Sequence, residues 1–378
     1  MGSGMSRLVH VVSGSGGRAA DCCAYRRRTQ APAWDQSPIR GEGLTKRSPV
    51  AGAVTLSYGL HTPLKETGMK SGFIRWVARL ALGLLVLAGG AWAAEPLVDV
   101  KWAVANVGKP GIVFVDFQSA KDYSDGHIPG AVNTNYGKDG WRVERKEDKV
   151  PDMLPADLGP LAQMIGTKLG IDNDTHVVLV PQGNTALDVG MATRVYWTFK
   201  VLGHDKVSIL NGGIASYSED EKAPMEKGIV KAVPKTFKAN VRKEMLVTMD
   251  DVKKARAAGN ILLVDNRPED QYVGIAKHPK SPISGTIAGA KNLPNQWTTV
   301  NGGGVFRSKA QLEKLYAYAG VPTTGEQINF CNTGHWASVG WFVSSELVGN
   351  KQARMYDGSM VEYTMLKGEG VEAKVKLN

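Results

Sequence analysis

One stretch decides the fold: residues 328–338 read Ile-Asn-Phe-Cys-Asn-Thr-Gly-His-Trp-Ala-Ser. The stretch begins as a short apolar run that predicts a buried strand, and residues 337–347 predict a helix. Between them, Cys331 begins a small polar loop. A loop that enters a helix N-terminus directs several backbone N–H groups and the positive end of the helix dipole at whatever it encloses. We therefore expect an anion-binding loop with a thiol at its base.

The position of Cys331 predicts reactivity as well as structure. A positive environment favours the thiolate, so we expect the pKa of this thiol to be lowered, and the thiolate is the nucleophilic form. The alternative is that Cys331 is a small hydrophobic residue buried at a strand end. The organisation of the remaining chain favours the reactive thiol.

Outside this loop the sequence is duplicated. Residues 111–118 predict an apolar strand that contains Asp116, and residues 261–267 predict a matching strand that contains Asp265. The first strand leads to Gly-His-Ile-Pro-Gly-Ala at residues 126–131, and the second leads to a related Gly-Thr-Ile-Ala-Gly-Ala stretch. The second copy is longer because it carries an insertion of about ten residues at 275–284, read from the spacing of its motifs.

The later parts of the two halves also correspond. Further strands are expected at residues 176–180, 206–213, 327–330 and 353–359, with a helix at residues 189–201 in addition to the helix at 337–347. Short apolar strands that alternate with helices predict an α/β fold with a parallel sheet in each half and helices on both faces. We expect a first domain at residues 97–222, a charged linker with prolines at 223–242, and a second domain at 243–378.

The N-terminal region predicts export. Residues 69–93 show a basic segment, a compact apolar run and an Ala-x-Ala cleavage signal, which is the order of a signal peptide. Residues 1–68 show no sustained period, and we expect them to be an upstream extension that the natural protein lacks. The mature protein is then periplasmic or secreted, with no stable membrane association after cleavage. The alternative is that residues 69–93 anchor the protein in a membrane.

Charge and cysteine content narrow the function further. The formal net charge is +10, but residues 1–93 contain 12 Lys and Arg against 4 Asp and Glu, so the remaining chain is nearly neutral. It has no basic stripe with interleaved aromatic residues, which argues against nucleic-acid binding. Cleavage after Ala93 would remove Cys22 and Cys23, so Cys331 would be the one thiol of an exported protein. A free thiol is at risk in an oxidising compartment, and its retention favours a chemical role.

Taken together, these motifs resemble the tandem-domain rhodanese sulfurtransferases, of an exported bacterial type. The resemblance rests on residues 126–131, on Asp265 and Arg267, and on the Cys331 loop, in that order and duplicated. It implies two open parallel sheets and an active second copy. The first copy fits this, because its corresponding loop at residues 181–185 contains no thiol.

The resemblance also implies the chemistry. Cys331 would attack the outer sulfur of an anionic donor, thiosulfate or 3-mercaptopyruvate, and would carry it as a persulfide to cyanide or to a thiol acceptor, which includes a possible protein acceptor. No cofactor and no metal are expected. The substrate-binding residues would be those of the loop with one arginine: Asn332, Thr333, Gly334, His335, Trp336 and Arg267. For His335 and Trp336 the alternative is packing at the helix start, and for Arg267 it is an ion pair with a nearby carboxylate.

Other cysteine chemistries fit less well. A cysteine phosphatase needs an arginine six residues after the cysteine, where this chain has Ala337. A thiol–disulfide oxidoreductase needs a second cysteine, and a metal site needs more ligands. The remaining alternative is a non-catalytic persulfide carrier that delivers sulfur to a partner. The loop has no Arg or Lys, and Gln271 lies near a position where users of 3-mercaptopyruvate often carry arginine, so the sequence leaves the donor open.

Overall fold

The computed structural model describes residues 94–377. The expected signal peptide at residues 69–93 and the expected extension at residues 1–68 lie outside the described residues. In the part that is described, no helix is long and apolar enough to cross a membrane.

The first half folds around a parallel sheet of five strands in the order β1-β5-β4-β2-β3. The strands are β1 Leu97–Val98, β2 Ile112–Asp116, β3 Val132–Asn133, β4 His176–Val180 and β5 Val207–Leu210. The helices are α1 Val100–Asn106, α2 Ala120–Asp125, α3 Gly159–Thr167, α4 Ala186–Val201 and α5 Gly213–Ser218. The central strands are buried on both faces, as expected for near-continuous apolar runs between two layers of helices.

The second half repeats this arrangement, with a parallel sheet in the order β6-β11-β10-β7-β9. Its strands are β6 Leu246–Val247, β7 Leu262–Asp265, β9 Lys291–Asn292, β10 Gln327–Phe330 and β11 Ala353–Tyr356, while β8 Thr286–Ile287 pairs antiparallel with β12 Val371–Glu372. Its helices are α6 Met249–Ala258, α7 Glu269–Tyr272, α8 Lys309–Ala319, α9 His335–Phe342 and α10 Ser359–Met365. Single helical turns lie at Lys243–Met245, Asn295–Thr298 and Val300–Gly302, and Val343–Val348 is a π-helical segment. The expected α/β fold with two similar domains is confirmed.

Helix boundaries differ from the sequence expectations for identifiable reasons. The helix expected at residues 189–201 begins at Ala186, because Thr185 and Asp188 form a reciprocal N-terminal cap. The helix expected at residues 337–347 begins at His335 and changes to π-helical geometry at Val343.

The duplication extends to individual hydrogen bonds. In the second half, the guanidinium of Arg267 forms an ion pair with Asp265 at 2.6 Å and donates to the carbonyl of Gly285 at 2.7 Å. In the first half, the side-chain amide of Gln118 donates to Asp116 at 3.1 Å and to the carbonyl of Gly126 at 3.0 Å. An amide thus occupies the place of a guanidinium.

The two copies therefore differ in charge at their buried aspartates. Burial raises the pKa of Asp116 to about 6, against the hydrogen bonds from Gln118 that lower it. Asp265 instead has the permanent positive charge of Arg267 beside it, and both side chains are almost fully buried.

The two domains share one hydrophobic core. Helices α4 and α9 pack against each other, with the ring centroids of Tyr196 and Phe342 4.9 Å apart and nearly perpendicular. At the centre of this contact the hydroxyls of Thr193 and Ser338 are hydrogen bonded at 2.8 Å. Because the helices bury their contact faces in the same core, the position of one domain fixes the position of the other.

The segment expected as a linker, residues 223–242, contains no helix or strand and lies against the first domain. The backbone of Glu226 exchanges two hydrogen bonds with His127, each 2.9 Å long, and its carboxylate accepts from the backbone N–H of Gly130. Farther along, Phe237 is buried in the shared core. The segment therefore contributes to packing as well as connection.

Replacing Arg267 by Gln would give the second domain the pairing of the first. Since Gln118 fits the corresponding place, we expect Arg267→Gln to fold but to lose about 2–3 kcal/mol of stability, because Asp265 would be buried without its cation. Urea unfolding of the variant checks this, with Lys254→Gln, at an exposed position of α6, as the control. Unchanged stability combined with weaker donor binding would contradict the structural role and favour substrate contact.

Candidate active site

Cys331 follows directly after β10, near the middle of the second sheet. It lies at the carboxyl end of the parallel strands, where open α/β sheets bind their ligands. The residue is 1% exposed. The backbone N–H groups of Thr333, Trp336 and Ala337 lie close enough to its sulfur to favour the charged form and lower the pKa of the thiol. The expected loop with N–H groups around a thiol is therefore present, and Ala337 belongs to it as well.

A serine that the sequence analysis did not single out holds the loop in place. The hydroxyl oxygen of Ser359 accepts the backbone N–H groups of Cys331, at 3.0 Å, and Gly334, at 3.2 Å. Its single proton has two acceptors in reach, the carbonyl of Tyr356 at 2.9 Å and the Cys331 sulfur at 3.9 Å. The hydroxyl can therefore turn towards the sulfur when negative charge develops there.

The expectation of a lowered thiol pKa is wrong. Burial raises the pKa of Cys331, and this effect outweighs the opposing hydrogen bonds from the backbone and from Ser359. The helix dipole alone would lower the pKa of the thiol. The desolvation of an almost fully enclosed sulfur raises it, and this enclosure cannot be read from the sequence.

Gly334 has a structural role in the loop. Its φ of +78° lies in the left-handed region, and a Cβ there would collide with the Arg194 guanidinium and with Asp357. The residue therefore permits the close approach of the loop to this ion pair, which is a structural function rather than the substrate contact that we expected.

The side chains around the sulfur enclose a cavity of about 350 Å³. Of the expected site residues, the structure brings five to its wall, listed in chain order as Cys331, Asn332, Thr333, His335 and Trp336. Both domains contribute, and the first supplies Tyr136, Arg142, Leu187, Asp188 and Met191. The cavity therefore depends on the way the domains pack.

Asn332 presents a polar group that has no protein partner. Its side-chain NH2 group donates to the Gln271 carbonyl oxygen at 2.8 Å, while its own carbonyl oxygen is buried and unpaired among the described residues. A buried oxygen of this kind needs a donor from water or from a ligand. The wall formed by Asn332 and Gln271 carries no charge.

His335 is held as a neutral ring. Its Nε2 lies 2.9 Å from the carbonyl of Leu187, which can only accept, so Nε2 carries the proton. Its Nδ1 then accepts from the hydroxyl of Tyr136 at 3.2 Å. Burial is the main effect that lowers the pKa of His335 to about 4, and the charges of Arg142 and Arg194 lower it further. The ring therefore carries no positive charge near neutral pH.

Arg267 is not at the cavity. It is 1% exposed, and its guanidinium is occupied by Asp265 and by the Gly285 carbonyl. The substrate-binding role expected for Arg267 is wrong, because the buried carboxylate two residues earlier takes up its charge; the alternative of an ion pair is confirmed.

A cation that interacts with the sulfur comes from the first domain and was missed by the sequence analysis. Arg194, on α4, is 1% exposed and forms an ion pair with Asp357 of the second domain. The charge of the Cys331 sulfur helps to raise the pKa of Arg194, so the two groups interact electrostatically. They are 137 positions apart in sequence, and no local pattern joins them.

Two further polar residues at the cavity were also missed. Arg142 of the first domain pairs with Asp152 at 2.7 Å and lies 4.6 Å from the centre of the Tyr136 ring. His278 belongs to the insertion at residues 275–284, which the sequence did identify as a length difference between the repeats.

Comparison with known families gives two matches. The family described as Rhodanese-like domain matches residues 99–220 and residues 248–366. These ranges correspond to the two parallel sheets.

Individual relatives agree with this result. A proposed thiosulfate sulfurtransferase of Mycolicibacterium smegmatis is 32% identical over 287 residues, which cover 74% of this chain and 98% of the relative. The sulfur carrier protein TtuD of Thermus thermophilus is 30% identical over 298 residues, which cover 75% of this chain and 95% of the relative. Among solved structures, the 3-mercaptopyruvate sulfurtransferase SseA of Escherichia coli superposes with a TM-score of 0.60 at 24% identity, covering 70% of this chain and 99% of SseA. SseA at this identity shows the shared fold.

The neutral state of His335 predicts a loss of stability in acid. Between pH 6.5 and pH 4 the unfolded chain binds a proton at this histidine and the native chain does not, so the free energy of unfolding falls as the pH falls. From pH 7 to pH 5 the protein should therefore lose about 2 kcal/mol more stability than His335→Gln, which cannot titrate. Urea unfolding at both pH values measures the difference, and parallel losses in the two proteins would contradict it.

Proposed function

Because the chain belongs to the rhodanese-like family, we propose that it is a sulfurtransferase that carries a sulfane sulfur on Cys331. The observation that carries this proposal is the arrangement around one sulfur atom: a buried thiol at the base of a two-domain cavity, with the backbone N–H groups of Thr333, Trp336 and Ala337 directed at it. Such a site suits a sulfur that becomes an anion during the reaction.

The first half-reaction transfers sulfur to the protein. Cys331 loses its proton to solvent, and the thiolate attacks the outer sulfur of thiosulfate. A new sulfur–sulfur bond forms as the bond to the sulfonate sulfur breaks, and sulfite leaves with that electron pair. The total charge of −3 is the same before and after, on thiolate plus thiosulfate and on persulfide plus sulfite, as in any displacement without a redox partner.

The loop stabilises the charge that this step places on sulfur. Three backbone donors lie at the Cys331 sulfur, and the Ser359 hydroxyl can turn from the Tyr356 carbonyl towards it. Arg194 adds a positive charge that need not move during the reaction. Fixed donors of this kind favour the anion without reorganisation. They also offset part of the rise in the thiol pKa that burial causes.

The second half-reaction returns the thiolate. An acceptor nucleophile, cyanide or a thiolate, attacks the terminal sulfur and takes it from the persulfide. Trp336 and Met191 are apolar residues of the cavity wall, and they limit the access of water to the persulfide. In this proposal the donor is thiosulfate or 3-mercaptopyruvate, and the acceptor is cyanide or a thiol.

A second candidate function is a persulfide carrier that passes sulfur to a partner protein. It is favoured by the similarity to TtuD, which is named a sulfur carrier protein. A carrier would use the same loop and the same first half-reaction. It would differ in the second, because it would keep its sulfur until the partner arrives.

We also propose that the protein is exported to the periplasm or secreted, on the sequence of residues 69–93. N-terminal sequencing of the protein from its natural source should then give a start shortly after Ala93. If that protein contains residues from before Met69, the signal peptide is wrong, and so is the expectation that the natural protein lacks residues 1–68.

The proposal predicts one added sulfur atom on Cys331. Incubation of the protein that begins at Ala94 with thiosulfate or 3-mercaptopyruvate should give a mass increase of one sulfur, and cyanide should remove it as thiocyanate. Cys331→Ser should remain folded and stay unloaded, because an alcohol does not form a persulfide. Mass spectrometry and a thiocyanate assay follow the two steps.

Three outcomes separate the candidates. Many turnovers with thiosulfate and cyanide support the enzyme. Stoichiometric loading that cyanide and small thiols leave in place supports the carrier. No loading from either donor, in a protein with a native circular dichroism spectrum, would contradict both.

A further inference from the structure

We propose that Arg142 and His278, one from each domain, form the subsite that holds the oxyanion end of the sulfur donor. This inference rests on the proposed sulfur transfer and adds the residues that select the donor. The oxyanion is the sulfonate end of thiosulfate or the carboxylate of 3-mercaptopyruvate. Both side chains line the same cavity as the Cys331 sulfur.

Arg142 is oriented before a donor arrives. Its Nη1 is bound to Asp152 at 2.7 Å, and its guanidinium carbon lies 4.6 Å from the centre of the Tyr136 ring. Among residues 94–377 no acceptor other than Asp152 is bonded to this guanidinium. The remaining N–H groups form a planar fork that fits two oxygens of a sulfonate or carboxylate.

His278 contributes a neutral donor. Its Nδ1 accepts the backbone N–H of Lys280 at 3.2 Å, which leaves the proton on Nε2. Burial lowers the pKa of this histidine, while Asp152 raises it and Lys280 lowers it, and the net shift is downward. At neutral pH the ring therefore offers an N–H group without a charge.

The other charged side chains at or near the cavity are already bound to protein groups. The Asp188 carboxylate accepts the backbone N–H groups of Asn184 and Thr185 at the start of α4, so it caps a helix. Asn332 on the cavity wall and its hydrogen-bond partner Gln271 are neutral. Arg194 is held by Asp357. Arg142 is the arginine on the cavity wall, and its unpaired N–H groups can meet an incoming anion, with His278 beside the same space.

His278 belongs to the insertion that makes the second repeat longer than the first. Residues 275–284 have no counterpart between the matching strand and turn of the first domain. In the structure this segment brings His278 to the cavity and Lys280 to within 3.4 Å of Glu144 in the first domain. The insertion thus contacts the segment that carries Arg142.

The test compares two donors that differ by one charge. Thiosulfate is a dianion, and methanethiosulfonate has a methyl group in place of one charged oxygen. For Arg142→Gln we expect KM for thiosulfate to rise about 10- to 100-fold with kcat little changed, the size of a lost charge-assisted hydrogen bond. The effect on methanethiosulfonate should be clearly smaller. Arg142→Lys should recover part of the loss, since it restores the charge without the fork.

Matched variants control for folding and net charge. Lys146→Gln makes the same charge change at an exposed residue of the same segment and should leave both donors unaffected. His278→Ala should raise KM for thiosulfate, and His278→Gln should recover part of it by supplying an amide N–H. A parallel series with 3-mercaptopyruvate shows whether the subsite prefers the sulfonate or the carboxylate.

The outcomes separate this inference from the proposed function. If the wild-type protein transfers sulfur but Arg142→Gln weakens both donors equally, or lowers kcat alone, the subsite is wrong and the sulfur transfer stands. If Arg142→Gln and His278→Ala behave as Lys146→Gln does, the subsite is likewise wrong. If the wild-type protein loads no sulfur from any donor, the proposed function fails and the subsite fails with it.

Discussion

The site depends on an ion pair that joins the two domains beneath the Cys331 loop. Arg194 of the first domain and Asp357 of the second are both buried, and the loop passes so close to them that position 334 has room for glycine alone. Asp357 also accepts the backbone N–H of Leu154 at 2.7 Å, which ties the segment after Arg142 to the same point. Loss of one partner of such a pair costs about 3–5 kcal/mol. The same contact therefore sets the loop geometry, the domain packing and the charge near the sulfur.

Two opposing effects act on the sulfur itself. Enclosure by both domains removes water and raises the pKa of the thiol, whereas the backbone N–H groups, Ser359 and the charge of Arg194 favour the anion. For the resting thiol the effect of enclosure on the pKa is the larger of the two. A low dielectric strengthens the interaction between each fixed donor and a charge on sulfur. The environment that disfavours the resting thiolate therefore also stabilises a persulfide anion through these donors.

Local sequence was enough to predict the fold, the duplication and the loop. The strand before Cys331, the glycine at the helix start and the paired Asp-containing strands are all short patterns with direct physical meaning. The sequence left two roles open for Arg267, substrate contact and an ion pair with a nearby carboxylate, and only the packed structure shows that its guanidinium binds Asp265. Arg142, Arg194 and His278 were missed because the domains bring them to Cys331 across long stretches of chain. The sign of the thiol pKa shift depends on burial, which only the packed structure shows.

The most direct measurement is a crystal structure of the protein that begins at Ala94, determined after reaction with thiosulfate. The account predicts one additional sulfur atom bonded to the Cys331 sulfur, within hydrogen-bond distance of the backbone N–H groups of Thr333, Trp336 and Ala337. An unmodified Cys331 in crystals of protein that has turned over thiosulfate, or a terminal sulfur directed away from these N–H groups, would contradict it.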